Sequence, residues 1–416
     1  MSDEQRSRIE MAILQAMRHD RISRRSFLGR AGRGGIALGA ALSLPALIAA
    51  CTPSGEGVTL EWANWPLYID IDEEAEPNPT PYPTINAFID QTGINVNYTE
   101  AILANADFFQ QLVPDLSNGN PTGWDLITPG GWVVQRMADL GYLEELDHGK
   151  LPNWTANAAD HAVGLWFDPD NTYSIWWQGG ITGIAYDPNL TGRDLTSFED
   201  LLDPEFAGRV GAFKDMRDMF GLGLLSIGIV PENATVDDVR VVHDMLVEAN
   251  DRDQFRGYYG NEYFTPLANG DLIASVAWSG DVGQIQIDNP DVQFVIPEAG
   301  GMRWNDNMCI PKGSTAHIQE TFKLMDYWYD LTAATTLSEY IAYFTPVDGV
   351  SEKMLEDAAA AREAGDPDEA DRLEHLAPGV VPTPEQIDNT YTDKQLGEEE
   401  EREWNDLFLE VLVLGG

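Results

Sequence analysis

The chain has 416 residues, 43% of them hydrophobic, with a formal charge of −44 at pH 7 and only two cysteines. Such a length and apolar content can build two compact lobes, and stability must come from a buried core because two cysteines supply at most one disulfide. The acid excess argues against a nucleic-acid partner, which needs clustered Lys and Arg, and is compatible with either attraction of cationic ligands or plain solubility.

The first feature in chain order is Arg24-Arg25 followed by an uncharged stretch over 34–50, ending Leu47-Ile48-Ala49-Ala50 before Cys51. Paired arginine ahead of a modest apolar run reads as a twin-arginine (Tat) export signal, and small residues before a cysteine read as its processing site. The run is shorter than the ~20 residues a membrane span needs. The segment resembles the leader of a bacterial lipoprotein precursor, although that family usually has leucine where this chain has Ile48. The resemblance implies removal of 1–50, lipidation of Cys51, a short tether over 51–57, and attachment to a membrane surface with the rest of the chain outside the cytoplasm. Residues 1–50 hold eight Arg against four Asp or Glu, so the remainder carries −48.

Beyond the tether, strands and helices alternate. Strands are predicted at 58–63, 94–98, 124–128, 181–186, 209–213, 272–278 and 292–297. Helices are predicted at 84–91, 108–116, 132–140 and 235–250, the last opened by a capping-box-like Thr235-Val236-Asp237-Asp238. The Pro-rich, acidic segment 70–83 reads as a surface loop. Residues 351–376 read as an exposed helix broken at Gly365-Asp366-Pro367, and 399–414 as an amphipathic helix with Trp404, Leu407, Phe408 and Val411 on one face. The acids 398–401 read as a solvated helix start. Alternation of this kind indicates an α/β architecture.

Several pieces carry a further resemblance: Asn64-Trp65-Pro66-Leu67-Tyr68, Gly141-Tyr142-Leu143-Glu144-Glu145-Leu146-Asp147, Leu202-Asp203-Pro204-Glu205-Phe206-Ala207-Gly208-Arg209, Trp278-Ser279-Gly280-Asp281, and Pro297-Glu298-Ala299-Gly300-Gly301-Met302-Arg303-Trp304-Asn305-Asp306. With these the chain resembles the polyamine (spermidine/putrescine) substrate-binding proteins of ABC importers. The resemblance implies a two-lobed class II periplasmic-binding-protein-like fold with hinge crossovers, with 58–180 and 306–345 in lobe 1 and 181–305 and 346–416 in lobe 2. It also implies a monomer that hands its ligand to a membrane permease, with no cofactor and no metal.

A polyamine is a flexible apolar chain with ammonium ends, so it needs carboxylates for the ends and flat apolar walls for the methylenes; aromatic faces serve both needs. By resemblance, Trp65, Tyr68, Trp132, Trp278, Trp304 and Tyr343 wall the site, while Asp215, Asp218, Asp281 and Asp306 meet the ammonium groups. Asp281 beside Trp278 is the strongest candidate and Tyr263 a weaker one. Asp215 and Asp218 could instead serve only a helix N-terminus. The remaining tryptophans, 62, 154, 166, 176, 177 and 328, read as packing. Gly130-Gly131 stand where the family usually has a hydroxyl or acidic residue before the aromatic, which removes a hydrogen-bond partner and opens space.

Catalytic motifs are missing: there is no Gly-x-Ser-x-Gly, Cys-x-x-Cys, paired His at metal spacing or phosphate-cradling loop. Tyr258-Tyr259 reads as packing in preference to a ferric site. Two alternatives remain at this stage: a sugar-binding protein of the same fold, which would also stack on Trp but would not need converging acids, and a secreted glycoside hydrolase with paired carboxylates.

Overall fold

In the computed structural model, which describes residues 57–72 and 80–415, the chain opens with β1 (Thr59–Asn64), flanked in parallel by β2 (Asn95–Glu100) and β3 (Leu126–Ile127). The helices α1 (Pro83–Thr92), α2 (Asn105–Ser117) and α3 (Gly131–Asp139) cover these strands. Local chemistry sets their limits: α1 starts on Pro83, whose missing N–H costs nothing in a first turn, and stops at Gly93 with φ +70°. A 13-residue strand, β4 (Ser174–Tyr186), follows and is buried along its whole length. Then come β5 (Val210–Phe213), α4 (Met216–Ser226), α5 (Val236–Asn250), β6 (Phe255–Tyr259), β7 (Ala274–Trp278), α6 (Ser279–Asp288), β8 (Gln293–Val295) and β9 (Gly301–Cys309). The expected capping box opens α5, with the Thr235 hydroxyl and the Asp238 carboxylate exchanging bonds with each other's backbone N–H. The C-terminal part holds α7 (Ile318–Tyr327), α8 (Leu331–Ile341), α9 (Val350–Ala364), α10 (Pro367–Leu376), β10 (Thr390–Tyr391) and α11 (Glu398–Gly415).

The sheet runs β2-β1-β3-β9-β4-β7-β5-β6, with β10 on β9 and β8 on β4. Its two antiparallel crossover strands, β4 and β9, join a parallel half built on β1 to a parallel half built on β5. This is the two-lobed class II periplasmic-binding-protein-like fold. The segment after α8 crosses as well, because Gly179 and Phe344 exchange backbone hydrogen bonds at 3.1 and 2.8 Å.

The register decides where a ligand can sit. The loop leaving β3 brings Gly130 opposite Asp306 on β9, which lies opposite Gln178 on β4. From the other half, β7 ends with Trp278 opposite Thr182. The two loop ends therefore meet the crossover four residues apart, ~13 Å at the rise of an extended strand. Both halves aim the carboxyl ends of their parallel strands at this crevice, the usual ligand position in α/β sheets.

Two principal cores flank it. Leu60, Trp62, Ile85, Phe88 and Trp177 build one, and Val210, Phe213, Phe220, Val242 and Leu246 the other. Several expectations change here. Residues 346–416 do not all join the second core: Val350, Met354, Ala358, Leu373 and Leu376 pack with Leu60 and Trp62, because the fourfold spacing of Val350, Met354 and Ala358 gives α9 one apolar face. These helices are thus not merely exposed. The second core takes α11, which buries Trp404, Phe408 and Val411 there, together with Leu396 and the half-buried Tyr391 before it. Among the packing tryptophans, Trp62, Trp176, Trp177 and Trp328 are buried, but Trp166 is 37% exposed. The export segment, Cys51 and residues 73–79 of the acidic loop lie outside the described residues. Cys309 is a buried free thiol.

A candidate cation-binding cleft

The strands β1, β5 and β7 each deliver an aromatic or an acid at or just beyond their ends: Trp65, Asp215 and Trp278. Asn64 ends β1 with its side-chain oxygen accepting the Trp65 backbone N–H at 2.8 Å, and the Trp65 indole N–H donates to the Thr128 carbonyl at 2.9 Å. Leu67 takes a positive φ of 58°, turning the chain so that Tyr68 is buried. From there the rings connect in a row: Tyr68 to Tyr343 at 5.5 Å between centroids, Tyr343 to Trp304 at 5.4 Å, and Trp304 to Trp278 at 6.4 Å, all edge-to-face. Glycines on β4 and in the first turn of α6 make this possible. A Cβ on Gly180 would come within 2.7 Å of the Trp304 ring, and one on Gly280 within 2.6 Å of Tyr343.

Three carboxyls sit among these rings. Asp281, in the first turn of α6 and 0% exposed, accepts the Tyr343 hydroxyl at 2.9 Å and the Tyr263 hydroxyl at 3.1 Å. Tyr263 also accepts the Trp278 backbone N–H at 3.0 Å. Asp281 therefore holds Tyr343 in place, and Tyr263, set aside in the sequence as the weaker candidate, is its second support. Asp218 accepts Thr182 Oγ1 at 2.7 Å and the Trp278 indole N–H at 3.2 Å. Burial, and then the nearby Asp215 charge, raise its carboxyl well above the usual range. Asp306 lies against Tyr68 and Trp65; desolvation pushes it up to about 8, and those two donors only partly counter the shift. Among the described residues, neither acid forms an ion pair with a lysine or arginine.

Asp215 is different. It is exposed and caps α4, accepting the backbone N–H groups of Arg217 at 2.8 Å and Asp218 at 3.1 Å. The plain helix-terminus role fits it geometrically, while Asp218 turns into the cleft.

Trp132 stands apart from the ring row. Its indole carries the Arg217 guanidinium 4.2 Å from the centroid, and Arg217 Nη1 donates to the Lys394 carbonyl at 3.0 Å. Glu401 joins this end: one oxygen pairs with Arg217 at 3.5 Å and the other with Arg136. Glu401 is 8% exposed, so it does not belong to a solvated acidic start; Arg136 and Arg217 from separate helices bury it. Gly130-Gly131 do not open space either. A Cβ at Gly130 would fall 2.8 Å from the Asn105 amide nitrogen, and one at Gly131 2.6 Å from Phe167 and 2.8 Å from Asn305 Oδ1. The room is already filled by neighbours, and Asn105 Oδ1 accepts the Gly130 N–H at 2.8 Å.

No group of three or more His, Cys, Asp or Glu is placed to hold a metal among the described residues. Tyr258 donates its hydroxyl to Asn250 at 2.9 Å, in a packing role.

Residues 84–364 match the bacterial extracellular solute-binding protein family. The chain belongs to that family. Its members are binding components, and the assignment places this one outside the cytoplasm. It is 28% identical to spermidine/putrescine-binding periplasmic protein 1 of Haemophilus influenzae over 63% of this chain and 71% of that one. It is 27% identical to the putrescine-binding periplasmic protein of Escherichia coli over 70% and 79% of the two chains. A solved structure titled a putative spermidine/putrescine ABC transporter from Listeria monocytogenes superposes with a TM-score of 0.71 at 25% identity, covering 85% of this chain and 98% of that chain. The family match stops before α11, so Glu401 lies beyond it.

Proposed function

We propose that this solute-binding protein captures a polyamine-like cation in the cleft and hands it to an ABC importer, tethered to the membrane through lipidated Cys51. The observation that carries the reading is the convergence of Asp218, Asp281 and Asp306 among four connected rings, where Asp218 and Asp306 form no ion pair with a basic side chain among the described residues. Buried acids in that condition cost free energy until a cation arrives. A sugar would use the rings but would leave the acids uncompensated. The names of the curated relatives support the same choice.

Binding is coupled to closure. Contacts such as Tyr343 to Asp281 join elements of the two cores, so a guest that satisfies acids from both sides favours the state in which those contacts form. No bond of the guest is broken. A thermal-shift panel of diamines, triamines, sugars and amino acids tests the proposal, because a ligand of the native state raises the melting temperature by mass action. Putrescine or spermidine is expected to raise it. A shift with sugars and none with either amine would overturn the reading.

A further inference from the structure

We infer that Gln178 is a further ligand-binding residue of the cleft, whose side-chain oxygen accepts an N–H of the same ammonium that Asp306 receives; the inference rests on the reading that the cleft takes a polyamine. Gln178 is 1% exposed, yet its Oε1 has no hydrogen-bond partner among the described residues. A buried acceptor in that condition costs free energy that a donor from outside recovers.

The register places this side chain in the cleft. Trp176 on β4 stands opposite Asn307 on β9, but the next pairing joins Gln178 to Asp306, so Trp177 is the extra residue of a bulge. An unbroken register would set Gln178 opposite Asn305, with its side chain on the other face of the sheet. With the bulge, Gln178 and Asp306 project from one face as a directly opposed pair, their Cβ atoms about 4.5–5.5 Å apart. Gly180 follows on the same face, about 7 Å along the strand and opposite Trp304. A Cβ there would come within 2.7 Å of the Trp304 ring and 3.2 Å of Tyr343, so this face of β4 is the floor of the ring row. Thr182, next on that face, donates to Asp218. The unpartnered oxygen therefore belongs to a side chain that stands on the floor, beside Asp306.

A primary ammonium carries three N–H donors, and a lone carboxylate beside ring faces does not serve them all. A neutral carbonyl oxygen next to Asp306 takes another of them without adding a second buried charge.

Calorimetric titration of putrescine into wild-type protein, Gln178→Met, Gln178→Glu and the double variant Gln178→Met with Asp306→Asn tests this, together with the melting temperature of each protein without amine. Gln178→Met keeps the length of the side chain and loses the acceptor, so putrescine affinity is expected to fall about tenfold or more, the scale of a hydrogen bond to a charged group. The melting temperature of the amine-free variant is expected to stay or rise, because an unpaired buried acceptor has gone. Gln178→Glu keeps an acceptor oxygen at the same reach and is expected to bind putrescine at least as tightly as wild type. In the double variant the loss should fall short of the product of the single losses, since both groups hold one ammonium. Unchanged putrescine affinity in Gln178→Met overturns the inference alone and leaves the polyamine reading intact. So does weaker binding with a lowered melting temperature of the amine-free variant, which marks a packing role, or an equal loss in Gln178→Glu, or a double loss equal to the product. Binding of no amine by the wild type overturns both.

Discussion

The ring row and the surroundings of Trp132 hold similar residue types in opposite electrostatic conditions. Along the ring row, Asp218 and Asp306 are desolvated and form no ion pair with a lysine or arginine among the described residues, and both carboxyls are raised, Asp306 to about 8. Around Trp132, Glu401 and Asp393 are buried or desolvated beside Arg136 and Arg217, and Asp393 reaches only about 6 because the Arg217 charge opposes desolvation. The contrast teaches that acids alone do not mark a cation site. The acids that lack a partner charge within the fold are the ones that ask for one from outside, while the served ones hold the halves together.

The sharpest way to break this comparison is Asp306→Asn. Losing a buried charge partner is expected to weaken putrescine binding by about 2–5 kcal/mol, read by calorimetry. The same change should help the empty protein. The folded-state value of about 8 lies above the ordinary 3.8, so Asp306 contributes stability that is complete below about pH 4 and lost as pH rises toward 8. The melting temperature of empty wild-type protein should therefore carry a downward slope across pH 4–8 that Asp306→Asn reduces. An unchanged slope would show that the carboxyl is not held in that environment.

Asp281→Ala comes next. It removes the acceptor to which the buried hydroxyls of Tyr263 and Tyr343 donate, at about 1–3 kcal/mol each, and should lower the urea midpoint as well as loosen amine binding. Near Trp132, Glu401→Gln removes the shared charge of two arginines and should cost about 1.5–3 kcal/mol of stability with a smaller effect on putrescine affinity. Glu399→Gln, two positions away on an exposed face, should stay within about 0.5 kcal/mol in both measurements. Equal effects at 399 and 401 would remove the distinction between solvated and buried acids on α11.

Much of this arrangement was legible in the chain. Local rules read the α5 capping box at Thr235 and the glycine break at Gly365, which has positive φ. The positions of Trp65, Tyr68, Asp218, Trp278, Asp281, Trp304, Asp306 and Tyr343 at strand ends or on crossovers were legible as well, and the structure brings them together. What escaped depends on contacts between distant segments. Tyr263 sits in a short turn with no pattern of its own, and its role follows from where β7 ends. Glu401 belongs to an acidic run that reads as solvated until helices 184 and 265 positions away supply Arg217 and Arg136. Gly130-Gly131 imply an opening only if the surroundings are ignored; Asn105, Phe167 and Asn305 close it. The packing partner of α9 and α10 escaped for a similar reason, since their apolar faces do not announce which core they join.

The most direct test is a calorimetric titration of putrescine into the protein at pH 7, repeated in buffers of differing ionisation enthalpy. Below about pH 8 the Asp306 carboxyl of the empty cleft is largely protonated, and an incoming ammonium favours its ionised form, so saturable binding accompanied by proton release to the buffer is the predicted result. Saturable binding with no proton exchanged, or no binding of any amine, would contradict the account.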